Sequence, residues 1–411
     1  MSGARNAPVV AALDVGSSKV VAALALPEAD GLRVLGVGQA PGAGVRRGAV
    51  VDVPAATAAI GLAVQRVRRV VGRPFPAIML GSAAGDILSY NRDVEMELEP
   101  PGEVLAHHVA ELMAEVRRTA LPPGYQLVHA VPQEFMVDGF EGCTQPVGLA
   151  ADRLGLSAHL VACQGTLLAN LVQVALQAGL QVEDFAVGVL AAAESVLSDE
   201  ERAGGVVLVD IGATATQVAV VVGGQPVGSA TVPLGGEHVT QAIAQGLRLA
   251  LPAAEGVKQR LATADVRAAT DRLLEGLPVD PPAEGAAADA PPLTERALAE
   301  VVAAAAGEIL APVARLIQGA GLSQHLSAGA VLTGGGSRLR GIDALAMRTL
   351  GCRVRSGGAL GAEGLLGSPE CAVCVGLLQL AAQRRTGGRR LPPVPGVVRR
   401  PWTLPAWLGG P

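Results

Sequence analysis

The chain has 411 residues, half of them hydrophobic but only 2% aromatic, and a formal charge of −5. That is ample apolar material for two or more lobes built on Ala, Val, Leu and Ile, and the mixed charges, with no basic groove interleaved with aromatics, argue against a nucleic-acid partner. A zinc ribbon is also disfavoured: Cys371-Ala-Val-Cys374 lies in an apolar helical run with no second pair, and Cys143, Cys163 and Cys352 stand apart, as expected of reduced thiols.

The N-terminus lacks the apolar core of a secretory signal, and no run reaches ~18 uninterrupted apolar residues, so the body is expected in the cytoplasm. Val9–Leu13 and Val20–Leu26 flank Asp14-Val-Gly-Ser-Ser-Lys19, the pattern of a β-hairpin with a tight turn. A third strand, a helix over Pro54–Val71 and a strand at Ala77–Gly81 follow. From 82 to about 163 the rhythm changes. An acidic turn over Glu95–Glu103, a helix over Val104–Thr119 and strands around Leu127–Val131 and Leu160–Cys163 read as a small inserted α+β unit.

Helices are expected over Thr166–Ala178, stopped by Gly179, and over Ala191–Leu197. At Val206 the opening layout restarts, with Val206–Val209 and Val218–Val222 flanking Asp210-Ile-Gly-Ala-Thr-Ala-Thr216. Pro278–Pro292 reads as a flexible loop. Thr294 caps a helix over Glu295–Ile317, and the strand Ala330–Thr333 runs into Gly334-Gly-Gly-Ser337, with a helix over Leu339–Leu350 after it. Beyond Leu380, six arginines stand among prolines, and both tryptophans, Trp402 and Trp407, fall in the last ten residues beside Leu404 and Leu408. Tryptophan favours a membrane interface and arginine an anionic surface.

A phosphate needs close backbone approach, free N–H groups and hydroxyls, which the two turns offer through Gly16, Ser17 and Ser18 on one side and Gly212, Ala213 and Thr214 on the other. Lys19 adds a point charge. Asp14 and Asp210 repel phosphate but suit a hydrated Mg²⁺. Either turn alone is ordinary hairpin chemistry; two in register, with a third glycine turn, suggest a nucleotide between duplicated lobes. No histidine is paired with a nucleophile motif, so covalent catalysis has no support.

The ordered series resembles the actin-like ATPase superfamily and, in detail, the FtsA family of bacterial cell-division proteins. The matching stretches are Leu13–Val20, Gly36-Val-Gly38, Gly44–Asp52, His129-Ala-Val-Pro-Gln-Glu-Phe-Met-Val-Asp138 with Pro146-Val-Gly148, Pro233-Leu-Gly-Gly-Glu237, Glu255-x-x-Lys258 and Val331–Ser337. The resemblance implies an α/β, actin-like two-lobed fold with duplicated ribonuclease-H-like domains and an inserted small α+β domain. It implies domain IA over 1–82 and 164–198, domain IC over 83–163, domain IIA over 199–240 and 306–383, domain IIB over 241–305, and a basic linker with a membrane-targeting tail over 384–411.

It further implies ATP with Mg²⁺, with Gly235 and Gly236 at the nucleotide, Gly334, Gly335 and Gly336 near the ribose and α-phosphate, Glu255 at the ribose and Lys258 over the base. The implied partners are FtsZ, further copies of the chain, later divisome proteins and anionic lipid, the last through Trp402, Leu404, Trp407 and Leu408 at the division septum on the cytoplasmic side of the membrane. Pilus-assembly actin homologues of the PilM kind, or a small-molecule kinase, are the alternatives. The family's usual second hairpin is Asp-x-Gly-Gly-Gly-Thr-Thr-Asp. Here Ala213, Thr214 and Gln217 replace its second and third glycines and closing aspartate, so hydrolysis is expected to be weak or absent. Pro401 and Pro405 interrupt the tail where the family carries an amphipathic helix.

Overall fold

A computed structural model describes residues 9–28, 31–83, 85–274 and 294–385. The loop expected over 278–292 and the residues Trp402, Leu404, Trp407 and Leu408 lie outside the described residues.

The first lobe opens with β1 (Val10–Val15) and β2 (Lys19–Glu28), apolar runs buried along most of their length, then β3 (Gly31–Pro41). A ribbon of β4 (Val45–Arg46) and β5 (Ala49–Val50) leads into α1 (Val53–Val71) and β6 (Ile78–Ser82). Helix α1 starts where Asp52 Oδ1 accepts the Ala55 N–H at 2.9 Å and stops at Gly72, whose φ of 65° is left-handed. The insert supplies β7 (Leu88–Glu103), α2 (Ala106–Arg117), β8 (Tyr125–Val137), β9 (Phe140–Cys143) and β10 (Ala150–Gln164). The chain returns to the first lobe through α3 (Gly165–Gln177), β11 (Val182–Val187) and α4 (Gly188–Val196).

The second lobe comprises α5 (Asp199–Gly204), β12 (Val206–Ile211), β13 (Thr216–Val222), β14 (Gln225–Val232), α6 (Gly236–Leu247), α7 (Leu251–Arg260), α8 (Glu295–Gly319), β15 (Gly329–Thr333), α9 (Ile342–Leu350) and β16 (Val354–Ser356). Helix α10 (Ala372–Arg385) follows.

The two lobes repeat one topology. The first sheet runs β11-β6-β1-β2-β3 and the second β14-β13-β12-β15-β16. In each, an antiparallel three-strand meander is extended on one side by two parallel strands. Asp14 pairs across its hairpin with Val21 and Asp210 with Gln217, so each aspartate is the penultimate residue of a central strand.

A core with few aromatics closes by bringing backbones together. A Cβ on Gly38 of β3 would lie 2.2 Å from Ala63 O of α1, and one on Gly376 of α10 only 1.7 Å from Ala191 O of α4. Helix α10 packs on β1, β2, β6 and α4, burying Cys374, Leu377 and Leu378 in the first core. All five cysteines are free thiols, and burial pushes that of Cys371 up to about 11.

The end of 306–383 belongs with the first lobe, because α10 buries its apolar side there. The limits at 240/241 and 305/306 fall inside α6 and α8, whose apolar stripes run unbroken into the second core. Among the described residues, 241–305 forms helices and isolated bridges but no sheet of its own. Helix α8 is long and apolar enough to cross a membrane, yet Leu298, Val302, Ile309 and Val313 are buried in the second core.

The insert is a four-stranded antiparallel sheet, β7-β10-β8-β9, with α2 packed on it. Glu95–Glu103 is not a turn but the second half of β7: Asp93, Glu95 and Glu97 are exposed while Val94 and Leu98 are buried, a period of two. The insert meets the second lobe along β14 through buried and half-buried polar side chains. Ser89 Oγ donates to Ser229 O at 2.5 Å, Asn91 Nδ2 to Val227 O at 3.1 Å and Gln133 Nε2 to Pro226 O at 3.0 Å. His159 donates from Nδ1 to Asn91 Oδ1 at 2.7 Å and accepts at Nε2 from Ser229 Oγ at 3.0 Å. Asn91 is oriented by its own bond to Val227, which makes its oxygen the acceptor and fixes the neutral tautomer.

Candidate functional site

The β1–β2 and β12–β13 turns face one another across a cavity of about 1100 Å³ between the lobes, with Gly334–Gly336 on its wall. Ser17 Oγ and Thr214 Oγ1 meet across it at 2.8 Å, and Thr214 Oγ1 also accepts from Arg47 N–H at 3.0 Å. Arg46 and Glu237 pair between the lobes at 3.7 Å.

Of the expected nucleotide and metal residues, Asp14, Gly16, Ser17, Ser18 and Lys19 line the cavity from the first lobe. Asp210, Gly212, Ala213, Thr214, Gly236, Glu255, Lys258 and the three glycines at 334–336 line it from the second. Gly235 does not line it. A Cβ there would sit 2.7 Å from both Gly212 O and Ala213 O, so this glycine lets α6 start directly against the hairpin.

The Gly16 N–H donates to Lys19 O and the Gly212 N–H to Ala215 O, each at 3.0 Å; the Gly236 N–H donates to Gly212 O at 2.9 Å and the Gly334 N–H to Pro369 O at 3.2 Å. These four N–H groups shape the backbone, whereas the neighbouring N–H groups of Ser17, Ser18, Ala213, Thr214, Gly335 and Gly336 are not used in this way. A Cβ on Gly334 (φ 78°) would strike Asp210 Oδ1 at 2.2 Å. Lys258 spends its three donors on Gly236 O (3.0 Å), Thr240 Oγ1 (2.7 Å) and Glu255 Oε2 (2.7 Å). Glu255 Oε1 accepts from Gln259 Nε2 at 2.8 Å. Burial opposes charge on Glu255, but its hydrogen bonds from Lys258, Thr240 and Gln259 prevail and hold its carboxyl low. The pair therefore braces α6 against α7 as a charged wall of the cleft.

Burial pushes Asp14 up to about 7, against the pull of Lys19 and with a further push from Asp210; burial pushes Asp210 to about 6 against Lys19. A buried and a half-buried carboxylate, both held towards neutrality, favour a cation beside them. Among the described residues no three His, Cys, Asp or Glu side chains converge on one point. These donors therefore fit an ion that takes its remaining ligands from water and phosphate, as Mg²⁺ does.

Sequence reasoning missed Ser82, Ala83 and Gly188 at the root of the cleft, and Arg338, Arg340 and Glu370 on its wall. Arg338 and Arg340 directly follow the glycine turn and were readable there. Glu370, which reaches Lys19 at 3.7 Å and pairs with Arg338, lies in a segment without periodicity. The departures in the second hairpin are accommodated structurally: Ala213 O accepts the Glu237 N–H at 2.8 Å, and Gln217 is buried with its amide bonded to the first lobe.

Residues 207–376 match the family model "Cell division protein FtsA" and residues 84–162 the model "SHS2 domain inserted in FTSA". FtsA of Pseudomonas aeruginosa is 31% identical over 394 residues, covering 94% of this chain and 93% of that protein. The chain belongs to the FtsA family of cell division proteins. FtsA of Bacillus subtilis is 29% identical over 94% of this chain and 86% of its own length. FtsA of Escherichia coli K12 is 28% identical over 94% of each. Among solved structures, the PilM-PilN type IV pilus biogenesis complex aligns with a TM-score of 0.62 at 18% identity, covering 92% of this chain and 99% of that one. MreB5 of Spiroplasma citri bound to ADP aligns at 0.55 and 14%, with the same coverage. These likenesses show the actin-like two-lobed fold, with the FtsA insert placed between β6 and α3.

Proposed function

We propose that the chain binds ATP with Mg²⁺ in the cleft and acts as a scaffold of cell division. It tethers FtsZ filaments to the cytoplasmic face of the membrane, assembles with copies of itself and recruits later divisome proteins at the septum. The observation that carries the nucleotide reading is the meeting of the two hairpins over two cation-seeking carboxylates, Asp14 and Asp210. The MreB5 relative was solved with ADP and with AMPPNP, ligands of the class proposed here.

Ser17, Ser18 and Thr214 would hold phosphate oxygens, and Lys19 would exchange Glu370 for phosphate. Asp14 and Asp210 would hold the metal through water; bound there, Mg²⁺ neutralises phosphate charge. Gln217 has no carboxylate to orient water, and its amide is already engaged, so turnover stays far below the ~10 s⁻¹ enzyme median. The membrane role rests on Trp402, Leu404, Trp407 and Leu408 with the arginines before them.

Calorimetry with ATP, with and without Mg²⁺, tests the cleft: absence of binding overturns the nucleotide reading. Co-sedimentation with FtsZ and anionic liposomes, comparing the full chain with one ending at Gln383, tests the tether. Equal liposome binding by both overturns the tail assignment, and failure to bind FtsZ under every condition overturns the scaffold.

A further inference from the structure

Helix α4 begins at the root of the cleft, and its own N-cap does not hold it. Val187 offers no side-chain oxygen, and the first N–H groups of any helix have no acceptor within it. Two other domains supply the acceptors. The Val187 N–H donates to Nε2 of His129, on β8 of the insert, at 3.0 Å. The Val189 N–H donates to Oε1 of Gln217, on β13 of the second lobe, at 3.2 Å. Gln217 Nε2 in turn donates to Ala83 O, just past β6, at 2.8 Å.

The arrangement has little slack. Gln217 is 3% exposed, and a Cβ on Gly188 would lie 3.1 Å from Gln217 Oε1 and 3.4 Å from Ser82 O. It also requires an amide. One end must accept from Val189 and the other must donate to Ala83. A carboxylate here would set an oxygen against the Ala83 carbonyl, and an apolar side chain would leave both backbone groups bare. Ala83, Gly188 and Gln217 all line the cavity, so the turn is within reach of whatever fills it.

We propose that the first turn of α4 is a relay between the cleft and the insert, capped by Gln217 from one side and by His129 from the other. Separation of the lobes withdraws Gln217 from Val189 and loosens the turn that seats His129. Displacement of the insert withdraws His129 and loosens the turn that Gln217 grips. Each event therefore makes the other easier, which is the reciprocity that coupled sites must obey.

The ligand in this proposal rests on the ATP reading; the two caps do not. The test uses the full chain as wild type, Gln217→Met, Gln217→Glu, His129→Phe and the Gln217→Met/His129→Phe double variant. Stopped-flow release of N-methylanthraniloyl-ATP in Mg²⁺ is measured beside amide hydrogen exchange over residues 125–137 and 185–192. Gln217→Met is expected to release the probe about tenfold faster, the effect of losing one or two buried hydrogen bonds. It should also raise exchange about tenfold both at 187–190 and across β8. His129→Phe should quicken probe release although it lies on another domain, and the double variant should fall short of the product of the two single effects.

Gln217→Glu keeps length and an acceptor, and should preserve Val189 protection while still quickening release. Should Gln217→Met fail to fold, probe release and exchange at 187–190 in His129→Phe decide the question. Unchanged exchange across β8 in folded Gln217→Met, unchanged probe release in folded His129→Phe, or a double variant equal to the product, overturns the relay. A wild type that does not bind the probe overturns the ATP reading instead, and the relay is then decided by exchange in the ligand-free protein.

Discussion

Asp14 shows at the scale of one residue how a site works against the fold that carries it. Its carboxyl sits in a buried cleft beside Asp210 and is pushed to about 7. Its folded value lies above its unfolded one, so the folded state binds more protons than the unfolded state between pH ~4 and ~7. Stability from this group is present at acid pH and lost as pH rises through that window. Asp14→Asn removes the charge at equal volume. It should raise the stability of the ligand-free protein at pH 7.5 by about 1–2 kcal/mol and flatten the rise in melting temperature on acidification. It should also abolish the Mg²⁺ dependence of ATP binding. Thermal melts from pH 4 to 8, paired with calorimetry, check both halves; an unchanged melting temperature at pH 7.5 would contradict the assignment. The aspartate was legible in the sequence because it stands in a repeated turn. The spent N–H groups of Gly16 and Gly212 were not, since a turn motif does not say which donors close it.

At the scale of elements, legibility followed burial pattern. Strands β1 and β12 and helices α1 and α8 were readable because each carries a long apolar run or stripe. The second half of β7 was misread because its acidic residues drew attention from the alternation beneath them. The swing of α10 back to the first lobe was invisible, because an apolar helix does not name its partner. Its contact with α4 leaves no room for a methyl at Gly376. Gly376→Ala should destabilise the protein by about 2–3 kcal/mol, read from the denaturation midpoint at constant slope. The polar seam along β14 makes a prediction of opposite sign to that for Asp14. Burial holds His159 down to about 3 and His129 down to about 4, both below the unfolded value near 6.5. Their contribution is full above pH ~6.5 and is lost as pH falls towards those values. His159→Gln should therefore lose less stability than wild type between pH 6.5 and 4; parallel pH profiles would refute this.

The whole molecule is a duplication with unequal halves, and its order of motifs was legible across both lobes. Repetition of Asp-x-Gly at the ends of β1 and β12 predicted two sheets facing one cleft, and the sheets share one strand order. The cross-domain caps on α4 were beyond sequence, since His129, Val187 and Gln217 lie far apart in the chain and meet only in the fold.

The seam between the insert and β14 has one more consequence. Strand β14 is the outermost of its sheet, and the insert's side chains occupy the carbonyls of Pro226, Val227 and Ser229. A bare outer strand is a template on which another chain can add a strand of its own. The insert is thus a sheath over β14. Excising residues 84–163 should leave a protein that self-associates through β14 in a concentration-dependent way, seen by light scattering and thioflavin fluorescence. Val227→Pro or Val227→Lys in the excised protein should suppress it, and a monodisperse excised protein would show that β14 needs no cover.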